Sequence, residues 1–369
     1  MTDGLEVAAF TDTYLPTVNG VTYTIAEWAE RWNQSYGLMN VVYPDSDHRP
    51  RDHEYPISSA PFPFYPGYRA ALPWIPSAVR DADIVHAHSV FSVGAAGWVL
   101  ARTHDLPFVV SYHTPMAEYA EYVVPTDVGA SLFASGLSTY ERRVLEAADL
   151  VLAPSAETTR ELETRLDGEV PVRTLSNGIN LREFQPADGT AFRDRYGLDG
   201  TLVGYTGRHG FEKRIEDLVR AADRLDRDVT VVLGGDGPAT DDLRRLARRR
   251  DVDVRFVGFL DREELPAFYT ALDVFGFPSP VETEGLVGLE AIACGTPVVG
   301  ADAGALRSTI DDGTTGYLFE PGNPDAMADR LADALDDRSD LEAGCLAHRE
   351  TLSIDATLER LADIYRGLR

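Results

Sequence analysis

Lysine is almost missing from this chain of 369 residues: among its 34 basic residues, Lys213 is the single lysine. The 60 acidic residues give a net charge of −26, and they are spread along the chain rather than gathered in a tail. Such a surface repels nucleic acid, so we interpret the arginine-rich stretch from Leu243 to Arg250 as a solvated helix face. Distributed acidity with scarce lysine is typical of proteins from salt-loving organisms.

Cysteine is nearly as scarce, with only Cys294 and Cys345. Both lie in apolar or helical contexts, so neither a disulfide framework nor a cysteine-based metal site is expected. No apolar run reaches the roughly 18 residues that a membrane span needs. The chain opens on an apolar strand rather than on a basic-plus-apolar leader. We therefore expect a cytoplasmic protein, soluble or held peripherally at the inner face of the cell membrane.

Short β-rich apolar runs alternate with helical patterns along the chain, which is typical of parallel, doubly wound sheets. We predict strands at Leu5 to Phe10, Met39 to Tyr43, Ile84 to Ala87, Phe108 to Tyr112, Leu150 to Ala153, Val172 to Leu175, Leu202 to Thr206, Val229 to Leu233, Val254 to Val257, Val274 to Phe277 and Val298 to Gly300. Turn signals cluster between residues 176 and 199. The prediction is an α/β protein of two Rossmann-like domains facing each other across a cleft, with ligands at the carboxyl ends of the strands.

Two acids flank a predicted helix start in the second half of the chain: Glu282 lies in a loop, and Glu290 follows eight positions later. Between them, the backbone N–H groups of Gly285, Leu286 and Val287 would face an anion with the helix dipole behind them. The carboxylates could accept hydrogen bonds from sugar hydroxyls, which suggests a site for a sugar joined to a nucleotide. An ordinary strand–loop–helix whose acids merely favour the dipole is the alternative.

The single lysine lies close to another strand end, in the stretch Gly207-Arg208 to Lys213. Phosphates are commonly approached by the backbone at such glycine-containing strand ends. The compact ammonium group of lysine differs chemically from the planar guanidinium of arginine. The presence of the single lysine here therefore indicates a specific contact. Chance survival of one lysine codon is the alternative interpretation.

Together these motifs resemble the retaining glycosyltransferases of family 4, which have the GT-B fold. The resemblance rests on Gly207-Arg208 with Lys213, and on Glu282-x7-Glu290 followed by Gly295-Thr296-Pro297. Further matching stretches fall in order along the chain: Asp12 to Val21, Asp83 to His88, Ser111 to Pro115, Ser176 to Asn180, Gly234 to Pro238 and Val257 to Leu260. The turn signals between residues 176 and 199 place the break between a first domain of residues 1–183 and a second of residues 184–349. The resemblance implies that the first domain binds the acceptor and includes a C-terminal helix of about 350–369, and that the second binds the nucleotide sugar.

The resemblance also implies roles for the residues near the donor's phosphates and sugar. Arg208 and Lys213 would bind the diphosphate and neutralise its charge as it leaves. Glu282, with the backbone N–H groups of Gly285 and Leu286, would orient the donor sugar. These roles are carried over from the family and are expectations for this chain.

Five further residues complete the implied site. Glu290 would hold the ribose, and the turn at Gly258 and Phe259 would flank the base. Gly20 would let the first loop approach the phosphates, and His113 would reach the sugar near the reacting carbon. One departure from the family is Glu284, which stands where an aromatic residue is usual.

No metal or other cofactor is expected. Retention of configuration at the sugar needs no second carboxylate if the acceptor hydroxyl attacks from the face that the diphosphate leaves. Positioning and electrostatic stabilisation would then account for catalysis of the transfer. His86, His88 and His113 invite a metal interpretation, but no cysteine or acid cluster completes a zinc set. We therefore favour a role for the histidines in lining the cleft or packing beneath it.

The segment from residue 55 to residue 76 is too rich in proline for a helix and too aromatic for an ordinary solvated loop. It could contact a lipid, or fold over the core of the first domain. The stretches from residues 12 to 21 and 111 to 119 are most similar to family members that glycosylate membrane lipids, including glucosyl-, sulfoquinovosyl- and mannosyl-transferases.

The predicted function is transfer of a hexose from a UDP- or GDP-sugar to an acceptor, with a membrane lipid as the first hypothesis. A transferase of lipid-linked oligosaccharide or exopolysaccharide assembly is an alternative within the class. A non-hydrolysing nucleotide-sugar epimerase and a non-catalytic sugar-nucleotide sensor are alternatives outside it. The base, hexose, linkage and oligomeric state stay open.

Overall fold

The computed structural model describes residues 4–17, 19–62, 69–72, 74–113, 115 and 127–369, the side chains of 127–134 excepted. The strands are β1 (Leu5–Phe10), β2 (Gly37–Pro44), β3 (Glu54–Ile57), β4 (Ser59–Pro61), β5 (Arg69–Ala71), β6 (Ile84–Ala87), β7 (Phe108–Ser111), β8 (Leu150–Ala153), β9 (Val172–Thr174), β10 (Thr201–Thr206), β11 (Val229–Gly234), β12 (Val254–Gly258), β13 (Val274–Phe277), β14 (Val298–Ala301) and β15 (Gly316–Phe319). The helices are α1 (Gly20–Ser35), α2 (Ser92–His104), α3 (Asp127–Glu146), α4 (Ala156–Arg165), α5 (Gly189–Tyr196), α6 (Ile215–Ala222), α7 (Thr240–Arg250), α8 (Leu265–Ala271), α9 (Leu286–Ala293), α10 (Leu306–Thr309), α11 (Pro324–Asp336), α12 (Arg338–His348) and α13 (Ile354–Leu368).

The chain forms two compact units, one of Met1–Asn177 with Thr357–Arg369 and one of Gly178–Ala356. Each unit is built on a parallel sheet, with strand order β3-β2-β1-β6-β7-β8-β9 in the first and β12-β11-β10-β13-β14-β15 in the second. The prediction of two doubly wound Rossmann-like domains is confirmed. Strands β3, β4, β5 and β15 were not predicted.

Both faces of each sheet are covered. Val109 and Val110 are consecutive in β7, point to opposite faces, and are both fully buried. Val231 and Val232 are equally buried in β11. Strands enclosed on both sides read as continuous apolar runs, which explains why the sequence located them well.

The boundary between the units lies between residues 177 and 178, inside the turn-rich stretch of residues 176–199, whereas the sequence predicts it between 183 and 184. The Ile179 N–H donates to the Leu352 carbonyl at 2.7 Å, and the Ile354 N–H donates to the Ile179 carbonyl at 3.0 Å. Phe184 is also buried in the core of the second unit. Because of these contacts, residues 178–184 and 349–356 belong to the second unit, and the chain returns to the first at residue 357.

The C-terminal helix α13 begins at Ile354 rather than at about 350, because Arg349–Leu352 forms a 3₁₀ turn. Tyr365 is fully buried in the first unit. Its hydroxyl lies 2.5 Å from Nδ1 of His86, and its ring packs edge-on against Trp32 with centroids 5.3 Å apart. These contacts tie the end of the chain to β6 and α1.

The described part of segment 55–76 forms most of β3 and an antiparallel pair, β4 with β5. Residues 63–68 and 73 lie outside the described residues. Leu72 and Trp74 are exposed at 68% and 65%. In the part of the chain that the structure describes, no helix combines the length and apolar character that crossing a membrane requires.

Helix α2 is capped by a residue distant in sequence. The carboxylate of Asp12, which follows β1, accepts hydrogen bonds from Ser89 Oγ at 2.5 Å, Ser92 Oγ at 2.9 Å and the Val93 N–H at 2.9 Å. Asp12 is only 3% exposed. It satisfies donors at the start of α2 and joins the β1 loop to that helix.

We expect Asp12→Ala to lower the free energy of unfolding by about 2–4 kcal/mol, because several buried donors would lose their acceptor. Denaturant titration followed by tryptophan fluorescence measures the change. Asp81→Ala, at an exposed position, is the matched control and should change stability by less than about 0.5 kcal/mol. Equal stability of the two variants would contradict the capping role.

Candidate active site

In the second unit, the predicted residues cluster where the strand order reverses. Strands β10 and β13 are adjacent in the sheet although β11 and β12 separate them in sequence. Strand β10 leads into Gly207, Arg208 and Lys213, and β13 leads into Glu282 and Gly285. In parallel α/β sheets, such a reversal is where ligands bind, at the carboxyl ends of the strands.

Lys213 and Glu282 are in direct contact. Lys213 Nζ donates to Glu282 Oε1 at 2.8 Å, across 69 positions of sequence. Their side chains are 20% and 16% exposed, so the pair is largely shielded but still reachable. Arg208 forms an ion pair with Glu212 on the same loop. Both cations predicted to bind phosphate therefore have acidic partners, and Glu212 is a site residue that the sequence did not indicate.

The loops after β10, β11 and β12 are joined by backbone hydrogen bonds. The Gly207 N–H donates to the Gly234 carbonyl at 3.2 Å, and the Gly235 N–H donates to the Gly258 carbonyl at 2.7 Å. Gly235 has φ of +102°, and a Cβ there would lie 2.0 Å from the Gly207 carbonyl oxygen. Glycine is thus required at 235 for the close approach. Phe259, next to Gly258, is 63% exposed.

Helix α9 begins under tight steric constraint. Gly285 precedes it with φ of +80°, and a Cβ at this position would lie 2.9 Å from Leu306 and 3.2 Å from Phe277. No side chain caps the helix start. The N–H groups of Leu286 and Val287 belong to the first turn, which lacks intrahelical acceptors, so the helix start can offer donors to an anion.

Glu284, the departure from the family pattern, is buried at 5% exposure. Its carbonyl accepts a hydrogen bond from Thr309 Oγ1 at 2.6 Å. The Ala305 N–H donates to the carbonyl of Glu282 at 3.0 Å. The loop between β13 and α9 is therefore held by the segment that follows β14.

Glu290 lies in the second turn of α9 and is 8% exposed. The Tyr269 hydroxyl donates to its Oε2 at 2.7 Å, which leaves Oε1 to accept from a ligand. Burial raises the pKa of Glu290 to about 7. The pairing with Tyr269 was not predicted, since a tyrosine in an apolar helix carries no signal of its partner.

In the first unit, Gly20 and His113 lie at the corresponding sheet edge. Gly20 is the first residue of α1, whose N-cap Asn19 accepts from the Thr22 N–H at 2.8 Å. His113 follows β7 and is buried. Its Nε2 lies 3.2 Å from Nδ1 of His88, and the two rings stack with centroids 5.5 Å apart.

His86 and His113 are kept neutral by burial, which lowers the pKa of His86 to about 3 and that of His113 to about 4. Burial, followed by the neighbouring imidazoles, also lowers the pKa of His88 well below its usual value. His86 is further held by Ser111 Oγ, 2.8 Å from its Nε2. Over the described residues, no group of three or more His, Cys, Asp or Glu side chains is placed to hold a metal ion.

The structure thus brings most of the predicted residues to two sheet edges. At the carboxyl edge of the second sheet lie Arg208, Lys213, Gly258, Phe259, Glu282, Gly285, Leu286, Val287 and Glu290, and at that of the first lie Gly20 and His113. Two doubly wound parallel domains with polar residues and helix starts at these edges define the class of GT-B glycosyltransferases.

Comparison with known proteins identifies the family. Residues 18–183 match the family model described as Glycosyltransferase Family 4, and residues 191–347 match the model described as Glycosyl transferases group 1. The chain is 34% identical over 308 residues to a D-inositol 3-phosphate glycosyltransferase of Streptosporangium roseum, covering 77% of this chain and 69% of that protein. This chain belongs to glycosyltransferase family 4: it is a hexosyltransferase of the GT-B type that acts on nucleotide sugars.

Another relative is an alpha-monoglucosyldiacylglycerol synthase of Streptococcus pneumoniae, 31% identical over 336 residues, covering 85% of this chain and 75% of that protein. Among solved structures, a sucrose-phosphate synthase of Thermosynechococcus elongatus has a TM-score of 0.79 at 23% identity, covering 98% of this chain and 99% of that one. HepE of Anabaena, solved in complex with UDP-glucose, has a TM-score of 0.75 at 18% identity, covering 98% and 100%. At these identities the two structures establish the fold alone.

We expect nucleotide affinity to rise with pH if Glu290 binds ribose hydroxyls. Its carboxylate accepts hydrogen bonds, and with a pKa of about 7 it is mostly protonated below that value. Between about pH 6 and about pH 8 the ionised fraction rises roughly tenfold, and the affinity for UDP-glucose, whose diphosphate does not titrate in this range, should rise by up to that factor. Isothermal titration calorimetry across this range measures it.

Glu290→Gln should bind more weakly at high pH and show a flat profile over the same range. Glu359→Gln, at an exposed position on α13, should keep the wild-type profile. A pH dependence that persists in Glu290→Gln would show that another group is responsible.

Proposed function

We propose that this enzyme transfers a hexose, with retention of configuration and without a metal ion, from a UDP- or GDP-sugar to a hydroxyl of a membrane lipid. The observation that carries the proposal is the contact between Lys213 and Glu282 beside the uncapped start of α9. It combines, within one unit, a cation for phosphate, a carboxylate for sugar hydroxyls and backbone donors for an anion.

For the donor, Lys213 and Arg208 bind the diphosphate and stabilise the negative charge that grows as the glycosidic bond breaks. The start of α9 adds N–H groups and the positive end of the helix dipole. Glu282 accepts hydrogen bonds from sugar hydroxyls. HepE of Anabaena shares this fold and was solved in complex with UDP-glucose, so UDP-glucose is the first donor to test.

The lysine–glutamate pair also preorganises the site. Each partner fixes the position of the other, so less side-chain entropy is lost when a nucleotide sugar replaces or shares the contact. The acceptor hydroxyl attacks from the face that the diphosphate leaves and passes its proton to a leaving-group oxygen. Atoms and charges balance without a metal or a second carboxylate.

A lipid acceptor is supported by two observations. The relative from Streptococcus pneumoniae is named as a synthase of monoglucosyldiacylglycerol. Leu72 and Trp74 present apolar surface to solvent. At about 1 M salt the Debye length is ~3 Å, so a protein working in concentrated salt has to hold a membrane by apolar contact rather than by basic patches.

A soluble inositol phosphate acceptor is the second candidate, favoured by the name of the relative from Streptosporangium roseum. Assembly of a lipid-linked oligosaccharide or an exopolysaccharide is a third within the same family.

Incubation of the purified protein with UDP-glucose and, separately, GDP-mannose, without an acceptor, with membrane lipid extract or with D-inositol 3-phosphate, tests the proposal. We expect one donor to release its nucleoside diphosphate only when lipid is present, together with a new glycolipid. Release dependent on inositol phosphate instead would establish the second candidate. Conversion of the nucleotide sugar without an acceptor, or tight binding without turnover, would overturn the transferase proposal.

In the same assay, Lys213→Met should lower kcat by about 10²–10³-fold, because a charge that stabilises the transition state is lost. Arg249→Met removes an exposed cation from α7 and is the matched control, with wild-type activity expected. Equal rates for Lys213→Met and the wild type would exclude a role for this lysine in catalysis.

We expect Leu72→Ser and Trp74→Ser each to weaken binding to phosphatidylglycerol vesicles at about 1 M KCl by roughly tenfold, since each removes an apolar group available for insertion. Vesicle sedimentation measures the bound fraction. Leu346→Ser, a change at a partly exposed leucine of the second unit, is the control. If all three variants bind as the wild type does, these side chains do not contact the membrane.

A further inference from the structure

The first unit contains three buried histidines whose contacts form a chain. His86 lies between the Tyr365 hydroxyl and Ser111 Oγ, at 2.5 Å and 2.8 Å. The ring of His86 lies against that of His88 with centroids 4.1 Å apart. Nδ1 of His88 then meets Nε2 of His113 at 3.2 Å. Two neutral imidazoles in contact through these atoms require that one donates and the other accepts.

The opposite nitrogen of His88 indicates which ring donates. Nε2 of His88 is buried and has no hydrogen-bond partner in the described structure. A buried N–H without a partner is rarer and costlier than a buried acceptor without one. The proton of His88 is therefore favoured on Nδ1, which donates to His113.

We infer that His88 is a positioning residue that fixes the tautomer of His113: Nε2 of His113 accepts from His88, so the proton of the neutral His113 ring resides on Nδ1. The hydrogen bond at one nitrogen of an imidazole sets the state of the other. Toward a ligand, His113 then acts as a hydrogen-bond donor through Nδ1, suited to a sugar hydroxyl or ring oxygen, and not as a proton acceptor.

The ring of His88 is held in place from both sides, which such a role requires. Trp28 packs edge-to-face against it with centroids 5.7 Å apart, and His86 covers it on another side. The Trp28 indole N–H is itself fixed by the Asn177 carbonyl at 2.9 Å. Ring rotation of His88 would need these neighbours to move, so the donor stays aimed at His113.

The experiment reads the tautomer directly in the full-length protein. Histidine is labelled with ¹⁵N, and the signal of His113 among the 8 histidines is assigned by its loss in His113→Asn. Two-bond ¹⁵N–¹H correlation spectra distinguish protonation at Nδ1 from protonation at Nε2. We expect Nδ1–H in the wild type. A wild-type His113 protonated at Nε2 would overturn the inference.

Two nearly isosteric variants separate the hydrogen bond from packing. His88→Leu removes the donor and should shift His113 toward the Nε2–H form, whereas His88→Asn can donate through its amide and should restore Nδ1–H. An unchanged His113 spectrum in folded His88→Leu would contradict the role. If His88→Leu does not fold, the wild-type and His88→Asn spectra still show whether a donor at position 88 places the proton of His113 on Nδ1.

The kinetic consequence rests on the proposed function. In the transferase assay, His88→Leu should lower kcat by about tenfold or more with little change in the KM for the nucleotide sugar, and His88→Asn should restore most of that loss. Equal kcat in the two variants would contradict the catalytic consequence. Absence of transferase activity in the wild type would refute the proposed function but leave the tautomer measurement intact.

Discussion

The pairing of β10 with β13 is the constraint on which the candidate donor site depends. Backbone pairing in this sheet places strands that are about 70 positions apart in sequence next to each other, with Val203 opposite Val274 and Gly204 opposite Phe275. The two loops that leave these strands therefore emerge side by side. Lys213 can meet Glu282 only because of that adjacency, and the start of α9 is presented at the same edge.

The carboxyl edge of the second sheet also requires that the backbones of neighbouring loops approach each other closely. The loops after β10, β11 and β12 are joined through glycines, and the carbonyl of Gly207 leaves no space for a side chain at Gly235. At Gly285, the side chains of Phe277 and Leu306 leave too little room for a Cβ, so glycine is required where α9 begins. No side chain caps this helix start, which leaves its N–H donors available to a ligand.

The parts of this structure that were predictable follow from local chemistry. Buried parallel strands are continuous apolar runs, so most were located to within two residues. Arg208, Lys213, Glu282 and Glu290 were identified because the spacing of charged residues around glycines is local in sequence. Their assigned roles stay predictions.

Contacts between distant segments could not be predicted in this way. The hydrogen bond of Tyr269 to Glu290, the capping of α2 by Asp12 and the meeting of His88 with His113 each join segments that carry no sign of one another. The turn signals between residues 176 and 199 bracket the domain boundary but could not locate it to the residue, for the same reason. Backbone pairing of Ile179 with Leu352 is a tertiary event that turn residues do not signal.

Because the chain is so acidic, it matters that the charged groups of Lys213 and Glu282 are largely buried. Exposed ion pairs such as that of Arg244 with Asp241 contribute little, and salt screens them further. Lys213 and Glu282 are mostly withdrawn from solvent, where screening is weaker. An enzyme with a net charge of −26 repels an anionic nucleotide at long range in dilute solution, whereas concentrated salt suppresses that repulsion and leaves the short-range contacts. A sheltered lysine at a sheet edge can therefore bind phosphate under conditions in which a basic surface patch would be ineffective.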